Sequence, residues 1–118
     1  MIKKTYCFDI DGVICKTDGN NYKHSKPNHK VIRLINKLYN EGNTIKIFTA
    51  RHMTKYEGNI SKVKKYGYQK TKKQLLKWNL KFHNLIMGKP SYDVFVDDKA
   101  LGFSKNWISQ LKKFEKKV

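Results

Sequence analysis

Four short apolar runs, at residues 5–10, 44–48, 85–87 and 94–96, are set apart by stretches that are either polar or of helical period. That alternation constrains the fold more than any other feature, because parallel strands need crossover connections and helices supply them. Between the first two runs, residues 27–40 place Val31, Leu34, Ile35 and Leu38 at i, i+3, i+4 and i+7, the spacing of an amphipathic helix, with Gly42 suited to its exit. Residues 60–66 read as a weak helical turn. Thr71-Lys72-Lys73-Gln74 fits a capping box that starts a helix running to Leu80. After the last run, Ser104 is placed to cap a helix with Trp107, Ile108, Leu111 and Phe114 on one stripe, and Lys112, Lys113, Lys116 and Lys117 suit its C-terminal end. Residues 15–27 and 52–59 read as loops. The runs at 85–87 and 94–96 are nearly continuous in apolar character, as expected of strands covered on both faces. The expectation is a three-layer, Rossmann-like α/β domain with a central parallel sheet, and 118 residues leave room for one such domain, 1–118.

Composition narrows the class of protein. No apolar run approaches the roughly 20 residues of a membrane span, and no signal peptide opens the chain, so a cytoplasmic protein is expected. Two cysteines, Cys7 and Cys15, cannot build a disulfide framework; Cys7 reads as core and Cys15 as an ordinary thiol. Basic residues number 26 against nine acidic ones, a formal net charge of +17, which draws anions. Only Arg33 and Arg51 among them are arginine, and base-reading proteins favour the arginine fork, so many of the lysines are expected to do no more than solvate the surface.

The scarce acids carry the stronger signal. Asp9 and Asp11 follow the first apolar run and Asp97 and Asp98 follow the fourth, while Thr49 follows the second and Lys89 the third. In parallel α/β sheets ligands bind beyond the carboxyl ends of the strands, where these side chains should converge. Two carboxylate pairs would repel one another unless a hard cation lay between them, and Mg2+ with its oxygen ligands and its affinity for phosphate suits the set. A threonine hydroxyl and a lysine ammonium add contacts for phosphoryl oxygens, and an aspartate can itself be a nucleophile. The phosphate loop of nucleoside triphosphatases is absent.

Asp9-Ile10-Asp11-Gly12-Val13, Thr49-Ala50-Arg51, Gly88-Lys89-Pro90 and Val96-Asp97-Asp98 resemble, in order, the four motifs of haloacid dehalogenase (HAD) superfamily phosphatases. The resemblance implies a HAD-like fold and a role for each residue. Asp9 would be the nucleophile and a Mg2+ ligand. Asp11 would be the general acid and then the base, binding the metal through its backbone carbonyl. Thr49 and Ala50 would hold the phosphoryl oxygens, Lys89 would offset the charge of nucleophile and phosphate, and Asp97 and Asp98 would complete the metal site. The intervals from Asp11 to Thr49 and from Thr49 to Lys89 leave no space for a cap domain. Residues 49–59, with Trp78 and the segments around Lys89 and Asp97, are similar to small capless phosphatases of bacterial capsule and polysaccharide biosynthesis, which implies a small anionic sugar phosphate as substrate.

Two readings divide Arg51, a substrate contact or an ion pair with a carboxylate. Tyr22 reads as a flap over the site or an exposed aromatic, and Tyr56 and Asn59 as packing or turn residues. His24, His29, His52 and His83 lack metal-cluster spacing. Two alternatives stand beside the sugar-phosphate phosphatase: a 5′-nucleotidase or polynucleotide-end phosphatase, and a non-enzymatic nucleic-acid-binding protein. The retained catalytic set opposes the second. The lack of an obvious pair of aromatics near the motifs disfavours nucleotides and nucleic acid as partners. A weak or salt-promoted homo-oligomer is expected, since a capless site lies open while like charge resists association.

Overall fold

The computed structural model describes residues 2–116. Three of the four apolar runs become strands. β1 (Thr5–Phe8), β4 (Thr44–Thr49) and β5 (Asn84–Met87) form a parallel sheet in the order β1-β4-β5. Tyr6 pairs with Ile45 and Phe8 with Ile47, while Ile47 and Thr49 pair with Leu85 and Met87, so these seven side chains share one face. Two short strands, β2 (Cys15–Lys16) and β3 (Lys26–Pro27), pair antiparallel within the stretch expected to be a loop, with a 3-10 turn at Tyr22–His24 between them.

Both crossover helices cover the same face of the sheet. α1 (His29–Asn40) starts at Asn28, whose side chain accepts a hydrogen bond from the Val31 amide at 3.3 Å, and ends where Gly42 takes a φ of +94°. It packs on β4 through Val31, Leu34, Ile35 and Leu38. α2 (Ile60–Lys77) packs on β5, with Val63, Gly67, Thr71 and Leu75 buried at four-residue intervals. Its cap is Asn59, which accepts from the Lys62 amide at 3.1 Å. The capping box expected at Thr71 is therefore corrected: the weak turn and the later helix are one helix, and Thr71 lies inside it. Its hydroxyl finds no hydrogen-bond partner among the described residues. A buried stripe at every fourth residue outweighs the local Thr-x-x-Gln signal.

Two further expectations are corrected on the other face. Residues 94–96 form no strand; Val94 is 77% and Val96 90% exposed. An apolar run becomes a strand only where a ladder partner satisfies its backbone, and none is paired with it here. The face of the sheet opposite α1 and α2 is left open: β5 alternates between buried and exposed, with Ile86 open to solvent, and Cys7 is exposed rather than core. The described residues thus build two layers where three are expected. α3 (Trp107–Lys116) is the last element among the described residues, burying Leu111 and resting Trp107 and Ile108 against the core, while Phe114 stays exposed. The Ser104 hydroxyl accepts from the Asn106 amide at 3.3 Å, ahead of the helix. Lys117, expected at its end, lies outside the described residues. No helix among the described residues is long and apolar enough to cross a membrane.

Candidate active site at the carboxyl ends of the strands

Strand ends bring three of the expected residues together. Asp9 lies one residue past β1, Thr49 closes β4, and Lys89 lies two residues past β5. The Lys89 amide donates to the Thr49 carbonyl at 3.1 Å, which lays the chain after β5 against the central strand. From there the Lys89 ammonium reaches Asp9, Nζ to Oδ2 at 3.4 Å. The Ile10 amide donates to the other carboxylate oxygen of Asp9 at 2.8 Å. Burial pushes the Asp9 carboxyl up from its ordinary value, against the pull of Lys89 and the Ile10 amide. Burial works on Lys89 in the opposite sense, but Tyr92 and Asp9 beside it hold its proton more tightly, and its pKa is raised. Its ammonium also lies 5.3 Å from the Tyr92 ring centre and 5.5 Å from that of Phe95.

After Asp9 the backbone coils around one carbonyl. The amides of Val13 and Ile14 donate to the Ile10 oxygen at 3.1 and 2.8 Å, and Gly12 takes a φ of +87°, a conformation that any side chain would strain. This turn aims Asp11 at Arg51. The guanidinium Nε lies 2.9 Å from Asp11 Oδ2 and Nη2 lies 2.9 Å from Oδ1. The Thr17 hydroxyl donates to Asp11 Oδ1 at 2.6 Å. Burial alone would raise the Asp11 pKa, but the hydrogen bonds from Arg51 and Thr17 and the guanidinium charge carry it below the usual carboxylate value.

Arg51 is only 2% exposed, and of its two sequence readings the ion pair is the one observed. Its Nη1 donates to Gln74 Oε1 at 2.6 Å, and Gln74 Nε2 donates to the Tyr22 carbonyl at 2.7 Å. The Tyr22 ring covers the guanidinium at 4.7 Å, with the His52 ring edge-on to it at 5.2 Å. Tyr22 is therefore a packed cover over Arg51 rather than a solvent-exposed aromatic. The Ser25 hydroxyl accepts from Arg51 Nη2 at 3.4 Å. Thr17, Ser25 and Gln74 had no signal of their own in the sequence. Gln74 is visible there only as the end of a capping motif, and long-range pairing brings it to Arg51. The buried Thr49 hydroxyl accepts from the Arg51 amide at 3.1 Å, which fixes the turn through Ala50.

The acidic pair at 97–98 stands apart. Both residues are exposed, and Asp97 Oδ1 accepts from the Lys99 amide at 2.8 Å. The sulfur of Cys7, though on the open face, is partly screened from water, which raises its thiol, and the charges of Asp9 and Asp97 add to that rise. The oxygen donors of Asp9, Asp97 and Asp98 are of the kind a hard divalent cation takes. They are not gathered: among the described residues no three acidic, histidine or cysteine side chains stand close enough to share a metal ion. Asn59 serves as the α2 cap, in line with a turn role, and His83 accepts the Ile45 amide through Nδ1 at 3.0 Å, a structural use.

Fold and strand-end residues together define an α/β protein with a three-stranded parallel sheet and a charged cluster at its carboxyl edge. No protein-family model matches the chain, and no curated protein matches it. A crystal structure of a target protein from Vibrio cholerae is similar, at 28% identity and a TM-score of 0.77, over 98% of this chain and 100% of that one. Nothing in that protein's name speaks of an activity.

Proposed function

We propose that this chain is a phosphomonoester hydrolase of the HAD-like, capless type, working through an aspartyl-phosphate on Asp9. The observation that carries the reading is the Asp9–Lys89 pair at the mouth of the sheet, with Thr49 between their strands. A carboxylate partly stripped of water, with a cation 3.4 Å away to receive an anionic substrate, is the pairing a phosphoryl-accepting nucleophile requires.

In this reading Asp9 attacks phosphorus, and the bond to the leaving oxygen breaks as the Asp9–phosphorus bond forms. Lys89 and the turn at Thr49 and Ala50 neutralise and orient the phosphoryl oxygens. Asp11 gives its proton to the leaving oxygen, then takes one from the water that attacks phosphorus and frees Asp9 and inorganic phosphate. With Arg51 on both its oxygens, Asp11 rests ionised; for either step it must be loosened from Arg51, for which the incoming phosphoryl group is the natural competitor, and for the first it must also take up a proton from solvent. Asp9, the Asp11 carbonyl and, once brought to the end of β1, Asp97 or Asp98 would hold Mg2+, which would supply neutralisation of the phosphoryl charge. The short connections β2–β3 and α2, with no inserted domain, and the similarity of residues 49–59 to capsule-biosynthesis phosphatases favour a small sugar phosphate.

The test is phosphate release from a panel of sugar phosphates, nucleoside monophosphates and amino-alcohol phosphates with Mg2+ present. Release from a sugar phosphate, lost in Asp9→Asn, is expected. No release from any member, or release that survives in Asp9→Asn, overturns the proposal.

A further inference from the structure

We propose that the outward side of α2 binds single-stranded nucleic acid, a function separate from any turnover at Asp9. The helix carries seven lysines and no acidic residue in 18 positions. Among the described residues none of these lysines has an ion-pair partner. A solvated helix face laced with salt bridges interleaves the two signs of charge. Here like charges repel one another along about 27 Å of helix, at 1.5 Å per residue, and an anionic strand laid beside them relieves that repulsion.

The charges are ordered. Val63, Gly67, Thr71 and Leu75 face the core. On the outward side Lys62, Tyr66 and Lys73 form one row at helical spacing, and Lys65, Lys72 and Leu76 the row beside it. Aromatic rings stand at both ends of these rows. Near the start, Tyr66 is 46% exposed and stacks on Tyr56 with ring centres 5.5 Å apart; Lys65 lies 5.4 Å from the Tyr66 ring and Lys55 5.5 Å from that of Tyr56. Near the end, an open cavity of about 650 Å³ is lined by Tyr39, Tyr68, Phe82 and His83, with Lys72 and Lys81 at its wall. The pair of aromatics that the sequence lacked is thus formed by two tyrosines ten positions apart.

Lysines beside stacked rings match a strand whose phosphates are held by charge and whose bases are free to stack, without base-edge reading. A duplex keeps its bases inside and would leave the rings without a partner. An anionic membrane would need an apolar helix face turned outward, and that face of α2 is buried in the protein.

Anisotropy of a labelled 20-nucleotide oligo-dT, with a hairpin duplex of equal charge, is measured from 50 to 300 mM salt. Tighter binding of the single strand is expected. Lys62→Glu/Lys65→Glu/Lys73→Glu should weaken it and flatten the slope of log K against log salt by about 2, at about 0.7 for each phosphate no longer neutralised. Tyr66→Ala should weaken binding by about ten-fold or more. All these side chains are exposed, and the neutral triple Lys→Gln variant, with thermal melting of each protein, separates lost binding from lost folding. Lys30→Glu/Lys105→Glu/Lys112→Glu makes the same change in net charge elsewhere and should leave the slope nearly intact. Equal effects of the two charge-reversed variants, tighter binding of the duplex, or an α2 effect on sedimentation with phosphatidylserine vesicles but none on oligo-dT would each overturn the proposal.

Discussion

Arg51 holds Asp11 through two nitrogens on two oxygens, each contact 2.9 Å long, in a place where the arginine is 2% exposed and the aspartate side chain 28%. A fork-on-fork pair of this kind fixes the carboxylate in plane as well as in position. Arg51 also touches Gln74 of α2, which holds the Tyr22 carbonyl, while Asp11 is tied to Thr17 of the β2–β3 segment. One ion pair therefore joins the turn after β1, the hairpin and α2.

Breaking half of that pair should be costly. Arg51→Met leaves Asp11 half-buried without its partner, and a loss of about 3 kcal/mol is expected, the low end for a buried pair because Asp11 keeps some contact with water. Adding Asp11→Asn should recover part of it, since no carboxylate is then stranded. Denaturant midpoints of the two single variants and the double variant check this; additive losses would mean the pair contributes nothing as a pair.

The two aspartates of the first motif should pull stability in opposite directions with pH. The folded-state pKa of Asp11 is depressed, so its contribution is complete above the unfolded value of about 3.9 and is lost as pH falls through the folded value. The folded-state pKa of Asp9 is raised, so its ionised form costs stability at neutral pH, and that cost vanishes as pH falls through its folded value. In chelator at pH 7, Asp9→Asn is expected to raise the melting temperature and Asp11→Asn to lower it. On acidification the Asp9 difference should close first. Melting shifts of the same sign at pH 7 would contradict the assigned directions.

Particular residues show how far the sequence could be read. Asp9, Thr49 and Lys89 were legible because each ends an apolar run, and the parallel sheet brings the ends of its strands to one edge. Residues 94–96 were as apolar as the strands that formed, but strand identity also requires a ladder partner, which no local pattern encodes. Thr71 misled because a capping motif is local while the helix around it is held by burial of Val63, Gly67 and Leu75. Gln74, Thr17 and Ser25 reach the site through contacts between separate segments, and such polar partners leave no periodic trace.

Gly67 offers a check on the packing behind the site. It lies in the middle of α2, where alanine would ordinarily gain about 1 kcal/mol of helix propensity. A methyl group there would collide with the His52 ring, which is pinned against Tyr22 and sits on a residue with a φ of +68°. Gly67→Ala is therefore expected to destabilise the protein, and His52→Ala in the same chain to reverse the sign. A stabilised Gly67→Ala single variant would show that the ring moves freely.

For turnover, Lys89→Met removes the cation facing Asp9 without removing the nucleophile. A fall in kcat of roughly 100-fold to 1,000-fold is expected, the range for removing one preorganised charge partner. Single-turnover rates check that the loss falls on formation of the phospho-enzyme; a change confined to KM would make Lys89 a binding group only.

The exposed pair at 97–98 leads to the last expectation, because a cation shared with Asp9 requires that pair to approach the end of β1. Activity should vanish in chelator and return with Mg2+, and Asp97→Ala should raise the Mg2+ needed for half-maximal rate more than Asp98→Ala does. The approach has a signature apart from activity. Residues 94–96 have no strand partner, so their amides should exchange quickly with solvent in chelator. Added Mg2+ should slow exchange at residues 94–98, and Asp9→Ala should abolish that slowing. Protection unchanged by Mg2+ in the wild-type protein would mean that Asp97 and Asp98 do not join Asp9 around a cation, whatever the rate of turnover.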